Sequence, residues 1–418
     1  MFSRSPSGLW EICVLEEERL KRTNDILDVL LKVLSYILAA VAGAALMSVV
    51  FLQAGVTGTT PVADPGLTKL EELQALIEER FVGEADATAM GDAAAVGMIS
   101  SLGDQWSYYI SAAEYESYVE QMQNAYVGVG ITVTLREDGT GADIIQVIKG
   151  GPAEEAGLLS GDVIVAVDGV YFDTSDMQDL TLRIKGTEGT TVNITILRDG
   201  TEMLFTVERR TIEMTVAEGK MLDNGIGLVT IYNFDDRCAQ ESIAAIETLL
   251  DSGAESLIFD VRNNPGGYKH ELVELLDYLL PSGVLFISEY YTGERTEDRS
   301  NAKYLDVPMV VLVNSETYSA AEFFAAALSE YDAAQVVGEQ TCGKGYFQQT
   351  YNLVDGSAVS LSVGKYYTPN GVSLADVGIT PDVEVPVDDE TFMEIYYGIL
   401  TPEEDPQIQE AVKLLIGQ

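Results

Sequence analysis

The chain has 418 residues, with 67 acidic side chains against 24 basic ones and a formal net charge of −43. So acidic a surface makes nucleic acid a poor partner. A single histidine, His270, leaves no room for a histidine-rich metal site, and any Ser-His-Asp triad must use it or fail. The acidic residues are dispersed and form no EF-hand loop, so they read as a solvated face; no metal and no cofactor is expected. Three cysteines, Cys13, Cys238 and Cys342, do not make a disulfide framework. The last two either pair or remain free thiols.

In chain order, residues 1–32 are polar and mixed in charge. Val33 to Leu52 then runs for 20 residues without a charge, long enough to span a bilayer. A cleaved signal peptide would have a shorter charged region and a shorter apolar core, so an uncleaved anchor over 33–52 is expected. Arg19, Lys21, Arg22 and Lys32 precede the span, and the next basic residue is Lys69. This asymmetry puts the N-terminus in the cytoplasm and everything after Leu52 outside a plasma membrane crossed once. Residues 53–124 open with a Gly/Pro/Thr linker to Leu67. They continue as a helical region in which Leu70, Leu73, Leu76, Ile77 and Phe81 recur at helical spacing.

Residues 125–210 read as a small β-rich domain. YVGVGITV is a strand opened by glycines, and GPAEEAGLLSGDVIVAVDGV gives a short helix, a turn and a strand. TVNITILRDG and TEMLFTVERR pair through Asp199-Gly200, a two-residue hairpin turn. Residues 211–390 alternate strands and helices, and 391–418 form a closing helical segment. GIGLVTI is a strand, CAQESIAAIETLLDSG an amphipathic helix ended by a glycine, and ESLIFDVRNNPGGY a buried strand entering a tight turn. VPMVVLVN (Val307 to Asn314) is an apolar, β-branched run that reads as a buried strand. The helix after it starts near Ser319 and turns Phe323, Phe324 and Leu328 inward. A further strand, AQVVGE, leads into QTCGKGYFQQT. If the strand there runs from about Lys344 to Leu353, Lys344 and Gln348 lie on one face.

A hydroxyl at a helix start and an amine beside an amide is the layout of a serine nucleophile with a lysine base, the variant open to a hydrolase without a usable histidine. Free lysine titrates at about 10.4 and must fall to roughly 7–8 to accept a proton near neutrality. Burial does this, and Val336, Val337, Tyr346 and Phe347 are the residues expected to supply the apolar pocket.

These motifs resemble those of the C-terminal processing peptidases, or tail-specific proteases, over roughly residues 67 to 415. VNSETYSAAE resembles their nucleophile pattern and implies Ser319 as nucleophile. GEQTCGKGYFQ resembles their base pattern and implies Lys344 as base with Gln348 as its orienting amide. Tyr318 departs from the small residue usual there and narrows the cleft. DVRNNPGG resembles the family's oxyanion turn, which implies N–H donors from Gly266 or Gly267 together with Ala320. SLGDQWSYYI resembles the segment before the family's PDZ domain, with Gln105 for proline and Trp106 for tyrosine; in relatives this region helps pair subunits, which implies a homodimer. The β-rich domain resembles a protease-associated PDZ domain, whose tail-carboxylate amides would come from Val127, Gly128, Val129 and Gly130. Lys185 stands where relatives often have arginine.

The expectation is therefore a multidomain α+β chain: a single N-terminal transmembrane helix, a helical N-terminal region, a PDZ β-domain and an α/β serine-protease core. Its partners would be proteins or peptides with exposed C-terminal tails. The alternative is a catalytically inactive PDZ scaffold that binds protein C-termini.

Overall fold

Burial on both faces explains why the strands of the central sheet read as unbroken apolar runs. The computed structural model describes residues 65–417, apart from 137, 172–176 and 302. Its six-stranded central sheet has the order Ala217–Met221, β1 (Ile226–Ile231), β2 (Ser256–Asp260), β3 (Met309–Val313), β4 (Ala334–Gly338) and Val383–Glu384. The first pair is antiparallel and the rest are parallel. Side chains alternate between faces. Val229, Leu257, Phe259, Val311 and Val336 pack under the helices Cys238–Asp251, Lys269–Leu279 and α1 (Ala320–Glu330). Leu228, Ile258, Val310, Leu312 and Val337 face the other way, against Ile408, Ala411 and Leu415 of the helix Pro406–Ile416. Helix α1 is buried from Ala320 through Leu328, more completely than the three apolar positions expected from its sequence.

A second sheet flanks this core. β5 (Tyr346–Asn352) and β6 (Ala358–Tyr367) pair antiparallel, and Val284–Tyr290 with Arg295–Arg299 extend the far side. The strand expected from about Lys344 begins at Tyr346 instead. Its register also shifts between Phe347 and Gln348, so an even spacing does not place Lys344 and Gln348 on one face. Tyr108–Ile110, far upstream, adds to β6 with Tyr108 opposite Ser360.

The β-rich domain expected to resemble a PDZ domain is a sheet in the order Ile131–Leu135, Ala142–Val147, Val163–Val167, Thr191–Arg198 and Thr201–Glu208, with the helices Pro152–Ala156 and Met177–Ile184. The hairpin turn at Asp199 and Gly200 has both residues at positive φ, as a two-residue primed turn requires. The single strand expected for YVGVGITV is two: Ala125–Gly128 pairs with Arg210–Glu213, and Ile131–Leu135 starts the PDZ sheet. Gly130, at φ +77, makes the break.

The helix Pro65–Arg80 carries Leu70, Leu73 and Leu76 as its spacing predicts. It falls in a separate compact unit from the chain beginning at Thr88. The span at Val33–Leu52 lies outside the described residues. Among the described residues no helix is long and apolar enough to cross a membrane.

Candidate active site

Ser319 stands between β3 and α1 as the helix N-cap, at φ 52 and ψ −121, backbone values that a side-chain-bearing residue rarely adopts. The turn before it is bolted to the glycine turn after β2. Asn314 and Asn263 exchange hydrogen bonds: Asn314 Nδ2 donates to Asn263 Oδ1 (2.8 Å), and the Asn263 N–H donates to Asn314 Oδ1 (3.0 Å). Thr317 Oγ1 donates to the Val261 carbonyl (2.9 Å), and the Tyr318 N–H to the Asn264 carbonyl (2.9 Å). None of these amides carries a signal in sequence beyond its place in a motif.

The two glycines are needed for space. A Cβ on Gly266 would lie 2.8 Å from Ser319 Cβ and 2.9 Å from Ala320 N; one on Gly267 would lie 2.3 Å from the Phe234 carbonyl carbon. The Gly266 N–H donates to Asn264 Oδ1 (2.9 Å) and so is spent. The N–H groups of Gly267 and Ala320 have no acceptor among the described residues. Of the two glycines expected as donors, Gly267 therefore has the available N–H, beside that of Ala320 at the positive end of α1.

Glu322, not among the residues expected from the sequence, holds the pieces together. Its carboxylate is fully buried and accepts four hydrogen bonds. The N–H groups of Ser319 (2.8 Å) and Lys344 (2.9 Å) share Oε2; the Gly343 N–H (2.7 Å) and Thr341 Oγ1 (2.6 Å) share Oε1. Burial pushes this carboxyl's pKa up, against the downward pull of the four donors. The signal was present: a glutamate three residues after an N-cap serine is the reciprocal partner of a capping box.

Lys344 sits in the loop before β5. Burial pulls its pKa down, against the upward pull of the neighbouring Cys342, Glu322 and Asp104. Its Nζ lies 4.9 Å from the ring centroid of Trp106. The residues expected to form its pocket have packing partners of their own. Val336 and Val337 pack into opposite faces of the central sheet, Phe347 stacks on Tyr366 at 4.5 Å, and Tyr346 lies under Lys365. Ser319 Oγ and Lys344 Nζ are not hydrogen-bonded to each other; their backbones meet on Glu322. Gln348 Nε2 donates to Ser362 Oγ (3.1 Å) and the Tyr346 carbonyl (3.3 Å), and the amide makes no hydrogen bond to Lys344.

Other candidates take other roles. His270 is exposed, stacks on Tyr268 at 5.2 Å and lies 3.5 Å from Glu271. Asp236, His270 and Glu271 bring ligand atoms within 4.8 Å of one another, a spacing that suits a cation. Both Glu271 oxygens, however, already accept N–H groups at the start of the helix Cys238–Asp251, from Arg237 and Ala239. Cys238 is buried and Cys342 exposed, both as free thiols. The Cys342 pKa is raised by partial burial and by Glu322 and Glu316, which keeps it a thiol near neutrality.

In the PDZ domain the Val127 N–H donates to Glu120 Oε1 (3.2 Å), so it is not free for a ligand as expected. The N–H groups of Val129 and Gly130 are unclaimed among the described residues. The strand after them, Ile131–Leu135, forms an edge of its sheet. Lys185 bridges to Glu120 Oε2 at 2.6 Å.

The profile of peptidase family S41 matches residues 225–385, and that of the PDZ domain residues 127–208. A carboxyl-terminal-processing protease of Synechocystis sp. is 31% identical over 329 residues, covering 77% of this chain and 75% of its own length. The chain belongs to the carboxyl-terminal-processing protease family. The carboxy-terminal processing protease CtpA of Bacillus subtilis is 32% identical over 329 residues, with 78% and 70% covered. Among solved structures, the photosystem II D1 C-terminal processing protease is 25% identical, with a TM-score of 0.46, 83% of this chain and 100% of that one covered. As a family member the chain is a serine protease with an S41 core and a PDZ domain, and protein substrates follow from that pairing.

Proposed function

We propose that this protease hydrolyses peptide bonds of extracytoplasmic proteins with a Ser319–Lys344 dyad, and that its PDZ domain selects substrates by their C-terminal tails. The observation that carries the dyad is Glu322. One carboxylate oxygen accepts the backbone N–H of both residues, so the two backbones that carry the hydroxyl and the amine are fixed to a common point. Ser319 Oγ attacks the scissile carbonyl and passes its proton to neutral Lys344 Nζ. The oxyanion that forms is met by the N–H groups of Ala320 and Gly267. Lys344 then gives the proton to the leaving amine, and a water activated by the same lysine releases the acyl-serine. Gln348, tied to Ser362, keeps the base strand in place. Val129 and Gly130 receive the tail carboxylate while the tail adds to the edge strand Ile131–Leu135.

The charge asymmetry around Val33–Leu52 supports an anchor with the catalytic domain outside the plasma membrane. The exposed Leu67, Leu73 and Leu76 of the helix Pro65–Arg80 offer a surface for subunit pairing. The test is cleavage of a protein with a free apolar C-terminal tail by the purified chain and by its Ser319→Ala variant. Cleavage by the first alone supports the reading; tail capture without cleavage by either replaces it with the scaffold. Protease added to intact cells should reach residues after 52 and leave 1–32 protected.

A further inference from the structure

Lys344 Nζ has no carboxylate in ion-pair range and no hydrogen-bond acceptor among the described residues. What faces it is an indole. Trp106 is half-buried, with its ring centroid 4.9 Å from Nζ. The edge of that ring packs against Tyr318, the residue before Ser319, at 6.3 Å and 72°. Tyr318 is itself fixed by its hydroxyl on Glu316 Oε2 (2.6 Å). The turn carrying Trp106 is equally held. Asp104 accepts the Trp106 N–H (3.1 Å) and Ser107 Oγ (2.5 Å), and Ser107 Oγ accepts the Ser362 N–H (2.9 Å). Ser362 Oγ in turn accepts Gln348 Nε2. The indole is thus tied to both halves of the site, although it comes from a segment before the PDZ domain.

We propose that Trp106 is a positioning residue for Lys344, holding the ammonium over its ring face and stabilising the charge that forms when Ser319 gives up its proton. The role rests on the reading of Lys344 as the base. An aromatic quadrupole attracts the ammonium and not the neutral amine. The contact therefore strengthens as the proton arrives, which is the condition for lowering a barrier and not merely binding. The long lysine stem has many rotamers, and the flat ring limits them on one side. The other charged or titratable groups facing Nζ are Glu322 from α1, Asp104 from the Trp106 turn and Cys342 from its own loop; none is altered by changing Trp106.

Two measurements on the full chain test this. In Trp106→Leu an apolar cover remains but the quadrupole is gone. The expected result is a kcat lowered roughly tenfold with KM within about twofold. The rising limb of kcat against pH should move to lower pH, because an interaction that favoured the ammonium is lost. Trp106→Phe should restore most of the rate. An unchanged kcat, or a limb that moves to higher pH, would overturn the role. The second measurement does not depend on turnover. The chain has two tryptophans, so Trp10→Phe leaves Trp106 as the sole indole. Its emission should change as Lys344 titrates, and that change should vanish in Trp10→Phe/Lys344→Met. Emission indifferent to the lysine, in a chain that cleaves normally, sinks the contact and spares the protease. A chain that cleaves nothing removes the base and this role with it, whatever the emission does.

Discussion

The two halves of the site are built in different ways. The Ser319 half is local: β3, a six-residue turn and α1 lie within 22 residues, and the proposed nucleophile is set by that turn's own hydrogen bonds and its partner turn at 261–266. The Lys344 half is assembled from afar. Its amine lies before β5, its cover comes from Trp106, and β6, the partner of β5, is tied to Ser107 through a bond spanning 255 residues of sequence. A nucleophile can be fixed by one tight turn because it needs only an orientation. A lysine base needs a changed environment, and no short stretch of chain can surround a side chain that long.

The sharpest way to test this division is to remove each half. Ser319→Ala and Lys344→Ala should each lower kcat on the order of 10⁴-fold or more, and the double variant should be no worse than either, because the pair acts as a unit. Lys344→Arg should be equally inactive, since a guanidinium keeps its proton. In the intact enzyme the rate should rise with pH through a lysine pKa that burial holds below the ordinary value. Titration at or above the free-lysine range would mean that the amine is solvated and the environment is not changed.

Glu322 belongs to both halves, so its loss should strike both. Glu322→Gln replaces one accepting oxygen by an NH2 group and orphans donors that are now buried. The expected cost is about 2–4 kcal/mol of unfolding free energy, together with a fall in kcat, read from a urea midpoint and steady-state rates. A variant that loses activity at full stability would show that the carboxylate acts in the reaction and not as a joint.

Asp235 tests the support behind the glycine turn. It is buried, follows the residue bridged to Gly267, and leaves Oδ1 without a partner. Burial lifts its pKa from 3.8 to about 7, with Asp236 and Glu271 adding to the shift. Below pH 4 folded and unfolded chains both hold the proton. Between about 4 and 7 only the folded chain does, so stability falls as pH rises through that window, and the loss is complete above it. In urea unfolding, Asp235→Asn should therefore gain more unfolding free energy over the parent chain at pH 8 than at pH 5, by roughly 2–3 kcal/mol, since the amide's own lack of partners costs the same at both. An equal gain at both pH values would show that the carboxyl is not protonated in the fold.

The smallest effect should come from the PDZ domain, farthest from the chemistry. Amidating a substrate's tail removes the charge that the N–H groups of Val129 and Gly130 would meet. KM should rise several-fold, on the scale of about 1 kcal/mol for a charge-assisted hydrogen bond, with kcat unchanged. Equal rates at sub-saturating substrate would show that tail carboxylates are not what this domain reads.

The same contrast decides how much was legible in the sequence. Apolar runs at 226–231, 256–260 and 309–313, the helix after Ser319, and the Asp199-Gly200 hairpin follow from local pattern and match the fold. What local pattern could not supply were contacts made at long range. A period-two pattern carries the strand back to Lys344, but the glycines of GKG favour a loop there and the strand starts at Tyr346. YVGVGITV reads as one strand because the partner of its first half, Arg210–Glu213, lies beyond the PDZ domain. Trp106 entered only as a substitution in a motif, with nothing in its neighbours to say that it would meet a lysine 238 positions later.

The pairing of Tyr108–Ile110 with β6 also sets an order of events. A chain made from its N-terminus has emitted the PDZ domain, strands β1 to β4 and the Ser319 turn before residues 358–360 exist to receive that strand. The PDZ sheet closes on its own residues and has no need to wait. The turn bearing Trp106 is docked only when β6 is in place. The Trp106 side of the site therefore cannot be finished until at least 360 residues of chain have been made.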